Sequence, residues 1–137
     1  MKMLEALNLA VEFGQKLSHT MITTADRRGL PHVAAAGELS VDAEDLLNVT
    51  GWYCPTTVEN LQGNRLVSLV VWDPDADLGY QMTGEVVDIR EKAVLDGYGP
   101  ETDDTFYLPQ VERELIVRIQ EVFLFCHAPH TDRVMNE

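Results

Sequence analysis

The residue types best able to hold a ligand lie together in Trp52-Tyr53-Cys54-Pro55-Thr56-Thr57-Val58-Glu59-Asn60-Leu61. Thr56 and Glu59 have the spacing of a capping box, which places a helix N-terminus just after an aromatic loop. Free backbone N–H groups and two adjacent hydroxyls at such a point serve either as a plain helix cap or as a cradle for a phosphate. Glu59 favours the cap, because its carboxylate would compete with a phosphate for the same donors. A second cluster, Asp73-Pro74-Asp75-Ala76-Asp77, has the alternating carboxylates that open a calcium loop. Such a loop needs glycine at its sixth position and glutamate at its twelfth, and here these are Leu78 and Gly84. The stretch therefore reads as a solvated acidic turn. The third cluster is Cys126-His127-Ala128-Pro129-His130, whose soft ligands would need a fourth from elsewhere to close a tetrahedral metal site. It reads as the end of a strand, without a metal. His19 and His32 begin strands and read as surface or interface residues; Cys54 and Cys126 read as structural or incidental thiols. No Ser-His-Asp, paired-carboxylate or Cys-His arrangement has motif spacing, so any reaction here would be carried by a cofactor.

These residues must be positioned by a short list of elements. Residues 3–17 carry two apolar rows, Met3-Ala6-Ala10-Phe13-Leu17 and Leu4-Leu7-Val11, at helical spacing. Six strand-like runs follow: His19–Thr24, His32–Val41, Leu46–Thr50, Arg65–Trp72, Gly79–Arg90 and Glu112–His127. Ala25–Pro31, Asp42–Asp45 and Asp73–Leu78 are turns, and Pro55–Gly63 is a short helix. Glu91–Pro109 reads as a short helix followed by a Gly/Pro/Asp-rich loop, and the tail from Ala128 as loose. Ala34, Ala35, Ala36 and Gly37 thin the second strand. Either a flat ligand lies against them or the N-terminal helix covers them. The expected fold is mainly β: a six-stranded antiparallel split barrel with an N-terminal helix and short helical inserts, forming one domain over residues 1–137.

Composition narrows the partners. The 137 residues include 10 Lys and Arg against 23 Asp and Glu, a net charge of −13. Such a field repels nucleic acid and anionic membranes. No apolar run approaches the roughly 18 residues that cross a bilayer. The N-terminus has Glu5 and Glu12 inside its apolar part and reads as a helix, not a signal peptide, so the expected compartment is the cytoplasm.

Four segments, in this order, resemble the FMN-binding split-barrel family, also called pyridoxamine-phosphate-oxidase-like. They are the hairpin MITTADRRGLPHVAAAG, similar to the family's strand, D-x-x-G-x-P turn and strand; Thr57-Val58-Glu59-Asn60-Leu61, similar to its K-T-x-x-N-L segment; Asn64-Arg65-Leu66-Val67-Ser68-Leu69-Val70-Val71, similar to its N-x-R-V strand entry; and Gly79-Tyr80-Gln81-Met82-Thr83-Gly84-Glu85-Val86, similar to its Y-x-x-x-G strand. The resemblance implies a homodimer with FMN at the subunit interface. It implies that Thr57 bonds the phosphate with Thr56 and Asn60 nearby. It also implies that Ala34, Ala35 and Ala36 lie beside the flavin ring, and that Trp52 and Tyr53 flank the cofactor. The activity implied is that of a flavin-dependent oxidoreductase or electron-transfer protein, with hydride or electron transfer at the flavin N5; no substrate or redox partner is specified.

One departure bears on affinity. The family's Lys is Thr56 here, and Val41–Asn64 contains neither Lys nor Arg. A charge-assisted contact contributes about 1.5–3 kcal/mol, so its loss corresponds to one to two decades of affinity. Arg65, Arg27 or Arg28 are the cations that would compensate. The same departure fits a second reading, a cofactor-free dimer acting as a binding or regulatory module. A deazaflavin or heme, each bound within the family, is a third.

Overall fold

The computed structural model describes residues 1–95 and 110–137. Helix α1 spans Met3–Leu17, as its apolar spacing requires, and ends at Ser18 in the left-handed conformation. It buries Ala6, Leu7, Ala10, Val11 and Gly14. Gly14 lets the helix approach the sheet: a Cβ there would sit 2.9 Å from Val71 Cγ1 and 3.0 Å from Leu39 Cδ1. Leu4, expected on the second apolar row, is 41% exposed at the rim of that face.

Among the described residues, seven strands form one antiparallel sheet: β1 (Thr20–Ala25), β2 (Pro31–Ala36), β3 (Glu38–Val41), β4 (Leu46–Trp52), β5 (Leu66–Asp73), β6 (Leu78–Leu95) and β7 (Gln110–Phe125). A second helix, α2, spans Pro55–Gly63 between β4 and β5. The order across the sheet is β2-β1-β5-β6-β7-β4-β3.

Seven strands replace the expected six because the second run, His32–Val41, divides at Gly37. Before Gly37 the chain pairs with β1; after it the chain pairs with β4. The two margins of the sheet are thus consecutive pieces of chain. Gly37 N donates to the carbonyls of Thr50 and Gly51 at 3.1 and 3.2 Å. Gly51 itself holds φ +71°, and a Cβ on it would lie 3.2 Å from Gly37 N. Two glycines let the backbones meet where the chain changes partners.

Two further expectations are corrected. Residues 91–95 extend β6 as strand, paired with β7 through Leu95↔Gln110, so no helix begins at Glu91. The rest of the expected helix and loop, residues 96–109, lies outside the described residues. The C-terminal tail is tied along β7, not loose: Met135 N donates to Val122 O at 2.8 Å, and Asn136 Oδ1 accepts from Val122 N at 2.8 Å.

The core lies between α1, α2 and the inner face of the sheet. Leu7, Ile22, Leu47, Trp52, Leu61, Leu69, Met82 and Leu115 are fully buried in it. Burial of one such side chain stabilises the fold by about 1.5–3 kcal/mol.

Candidate functional site

Helix α2 is positioned by the strand before it. Leu47 and Val49 of β4 point inward by ordinary alternation. The register then shifts between Val49 and Trp52, at Gly51, which turns Trp52 inward as well. Trp52 is fully buried and its Nε1 donates to Val49 O at 3.1 Å. It is a core side chain in this protomer, and of the two aromatic residues only Tyr53 is partly exposed. Thr57, Asn60 and Leu61 form the buried side of α2, which fixes the helix against the sheet.

The helix starts at Pro55, two residues into the loop, with Cys54 at the N-cap. Proline's fixed φ and missing N–H suit the first helical position. The expected capping box between Thr56 and Glu59 is therefore out of phase: Thr56 lies inside the first turn and both side chains are exposed. No side chain caps the helix by a hydrogen bond of full geometry.

The thiol at this end has a partner that its place in the chain does not announce. His32, on β2, places Nε2 3.3 Å from Cys54 Sγ. Burial pushes the thiol up. The backbone N–H and hydroxyl of Thr57, His32 and the N–H of Thr56 pull it down, and the thiol lies below its ordinary value. A helix N-terminus and an imidazole both favour the thiolate. The Thr57 hydroxyl is fully buried and leans on the sulfur without meeting any partner in hydrogen-bond geometry.

The other expected site residues scatter over three places. Ala34 and Ala36 point into the core, while Ala35 faces out from the sheet. Asn60 is 7% exposed and donates to Thr24 Oγ1 at 3.1 Å, tying α2 to β1. Arg65 lies beyond the C-terminal end of α2, where Nη1 donates to Val86 O at 3.2 Å. Arg27 and Arg28 line a cleft of 360 Å³ with Asp26, Glu59 and Asn60, and Arg27 lies against Gly63 at that same end of the helix. Within one chain, none of these three arginines is at the N-terminal end of α2, so any compensation by them there would come from a second subunit.

The cation that does reach that end comes from β7. Arg113 pairs in register with Trp52, and its Nη1 donates to Tyr53 O at 3.0 Å. Nothing near Tyr53 in the sequence signals it; only the β4–β7 pairing brings it there.

The two remaining clusters are structural. Asp73 Oδ1 accepts from Asp75 N at 3.0 Å and closes an Asx turn. Asp77 receives the backbone N–H groups of His127 and Ala128 at 2.6 and 3.1 Å, and these bonds hold its carboxyl below the usual carboxylate range. His130 donates from Nδ1 to Cys126 O at 2.8 Å and from Nε2 to Asp132 Oδ1 at 2.6 Å, and both partners raise it above its ordinary value. Cys126 Sγ donates to Pro129 O at 3.4 Å. Among the described residues, no three His, Cys, Asp or Glu side chains converge as a metal site would require. No helix among them is long and apolar enough to cross a membrane.

No family model matches this sequence, and no curated protein matches it. Solved structures do. A Clostridium acetobutylicum protein related to general stress protein 26, of the pyridoxinephosphate oxidase family, superposes with a TM-score of 0.66 at 18% identity, over 96% of this chain and 94% of its own. An FMN-binding protein from Syntrophomonas wolfei gives 0.53 at 21% identity, over 85% of each chain. HutZ, the heme storage protein from Vibrio cholerae, gives 0.51 at 15% identity, over 95% of this chain and 100% of its own. These superpositions give the chain the fold of the FMN-binding, pyridoxamine-phosphate-oxidase-like split-barrel family.

Proposed function

We propose that this protein binds FMN as a homodimer and serves as a flavin-dependent oxidoreductase or electron-transfer protein. The observation that carries the reading is Thr57: a fully buried hydroxyl with no hydrogen-bond partner, at the N-terminus of α2, in a fold shared with an FMN-binding protein. A buried polar group left without a partner costs about 1–3 kcal/mol, and a phosphate oxygen would satisfy it. The N–H groups of the first turn and the positive end of the helix dipole favour the same anion. Arg113 supplies the cation that Thr56 does not.

When bound, the flavin would supply the redox chemistry, by taking up and releasing electrons or hydride equivalents. The chain's part is to hold and shield it. Ala35 presents no side chain beyond Cβ on the outer sheet face, so a flat ring could approach the backbone there. The same face carries Met21, Val33 and Leu66, which are 40%, 52% and 60% exposed. Met21 lies in register with both Ala35 and Val70, making one apolar strip across three strands. A strip of this kind supports contact with a second copy of the chain, with the cofactor between the subunits.

A second reading, the cofactor-free module, is favoured by Cys54. Its sulfur faces the Thr56 and Thr57 amides that the phosphate would need. Purified protein mixed with FMN and desalted separates the readings. Retained flavin absorbance, with a mass of two chains in light scattering, is the expected result. Loss of all flavin would overturn it in favour of the module, and a band formed only with added hemin would assign the site to heme.

A further inference from the structure

The Cys54 corner has a chemistry that does not depend on any flavin. Cys54 is half-buried, so a small molecule can reach it. His32 Nε2 stands 3.3 Å from its sulfur, close enough to take the thiol proton and keep it beside the sulfur. The two residues are held by different elements, β2 and the start of α2, and both elements are anchored in the core. The pair is therefore fixed by the fold, not by a flexible loop. Against the sulfur lies the buried hydroxyl of Thr57, which meets no partner in full hydrogen-bond geometry and could donate to an oxygen added there. The titratable and charged groups brought to this corner are His32 from β2 and Arg113 from β7, bonded to Tyr53 O, while Glu59 on α2 faces the cleft with Arg27 and Arg28.

We propose that Cys54 is a nucleophilic thiol, paired with His32, that small hydroperoxides oxidise to the sulfenic acid. The step balances as follows. The thiol proton passes to His32 Nε2. The thiolate attacks one peroxide oxygen; the S–O bond forms and the O–O bond breaks. The leaving oxygen takes the proton back from His32 and departs as water when the reactant is hydrogen peroxide. Sulfur loses two electrons, and the peroxide gains them. Reactivity of this kind needs a proton acceptor at the sulfur and access, which the His32 contact and the half-buried position of Cys54 supply.

Cys126 provides the internal control. It is likewise half-buried, but its S–H donates to the carbonyl of Pro129 and not to an imidazole. The experiment treats the intact protein with hydrogen peroxide at pH 6.5, traps sulfenic acid with dimedone and locates the adduct by peptide mass spectrometry. Cys54 should form adduct several-fold faster than Cys126, because its sulfur meets an imidazole nitrogen and that of Cys126 meets a carbonyl. His32→Gln keeps a side-chain amide at the position but cannot carry the proton; it should slow Cys54 several-fold and leave Cys126 unchanged. Equal rates at the two cysteines in the wild-type protein overturn the proposal, whether or not the variant folds. So does a folded His32→Gln protein whose Cys54 reacts at the wild-type rate.

Discussion

Two corners of this molecule pair a cysteine with a histidine, and they differ in kind. Cys126 and His130 are four residues apart, yet the imidazole bonds the Cys126 carbonyl and the sulfur bonds Pro129 O. Cys54 and His32 are 22 residues apart, and imidazole meets sulfur. The near pair ties down a chain end. The distant pair sets a thiol beside a proton acceptor at a helix N-terminus. Closeness along the chain places backbones together. Which atoms face each other is decided by the sheet and the helix that carry them.

Anchoring is where the contrast should be broken first. Leu61 is fully buried and holds α2 to the sheet. Leu61→Ala should lower the unfolding free energy by about 3 kcal/mol, read from urea denaturation, and should level the reactivities of Cys54 and Cys126. The matching truncation near the other corner, Val134→Ala at a 42% exposed residue, should cost no more than about 0.5 kcal/mol. Similar losses from the two variants would mean that α2 is not fixed by its buried side.

The next effect tests what the α2 corner is for. Thr57→Val keeps the shape and removes the unpartnered hydroxyl, so it should weaken FMN binding by about 1–2 kcal/mol in a fluorescence titration. Since the valine variant no longer buries a hydroxyl without a partner, it should be at least as stable as the wild type. Unchanged affinity would take Thr57 out of the phosphate site. Thr56→Lys should tighten FMN by about tenfold, by adding a cation to the first turn of the helix. A flat response would mean that Arg113 already serves the phosphate or that the phosphate sits elsewhere.

The smallest effect is in pH, and the two corners should move in opposite directions. His130 is raised in the folded protein. Its contribution is complete below the unfolded value of about 6.5 and is lost as pH rises through the higher folded value. Cys54 is lowered. Its thiolate contribution is complete above the unfolded thiol value and is lost as pH falls through the lower folded value. Raising pH from 6 to 8 should therefore loosen the chain end at residues 127–135 and not the start of α2. Amide resonances followed by NMR would show this, and His130→Ala should abolish the change at the chain end.

The fold was legible wherever local rules governed it. The ends of α1 and α2 follow from apolar spacing and from proline at the first helical position. β1, β4 and β5 follow from β-branched and apolar runs. What escaped was decided by distant partners. Gly37 reads as a weak point in one strand, but that the strand changes partners there depends on β1 and β4. Glu91-Lys92-Ala93-Val94-Leu95 is made largely of helix-forming residues, and pairing with β7 makes it strand. The resemblance implies that Trp52 flanks the cofactor; the register shift at Gly51, which no local residue pattern announces, turns it into the core of this protomer. The α2 loop was recognisable as the place for chemistry from its residue types. His32 and Arg113, which complete that corner, arrive through sheet pairing and leave no mark near Cys54.

The strand order also dictates a sequence of assembly. Four neighbours, β2, β1, β5 and β6, are all present once residue 95 has been synthesised. The β3–β4 hairpin joins the sheet through β7, the last strand to be made. While the chain is emerging from the ribosome, that hairpin lacks the strand it pairs with, although the helix after it already has β1 to bond through Asn60 and Thr24. His32 and Cys54 both lie on segments made before residue 95, on β2 and at the start of α2. What β7 adds last is the pairing that fixes β4 and the Arg113 bond to Tyr53 O, so a chain truncated before Gln110 would keep the thiol and its imidazole but lose the cation of that corner.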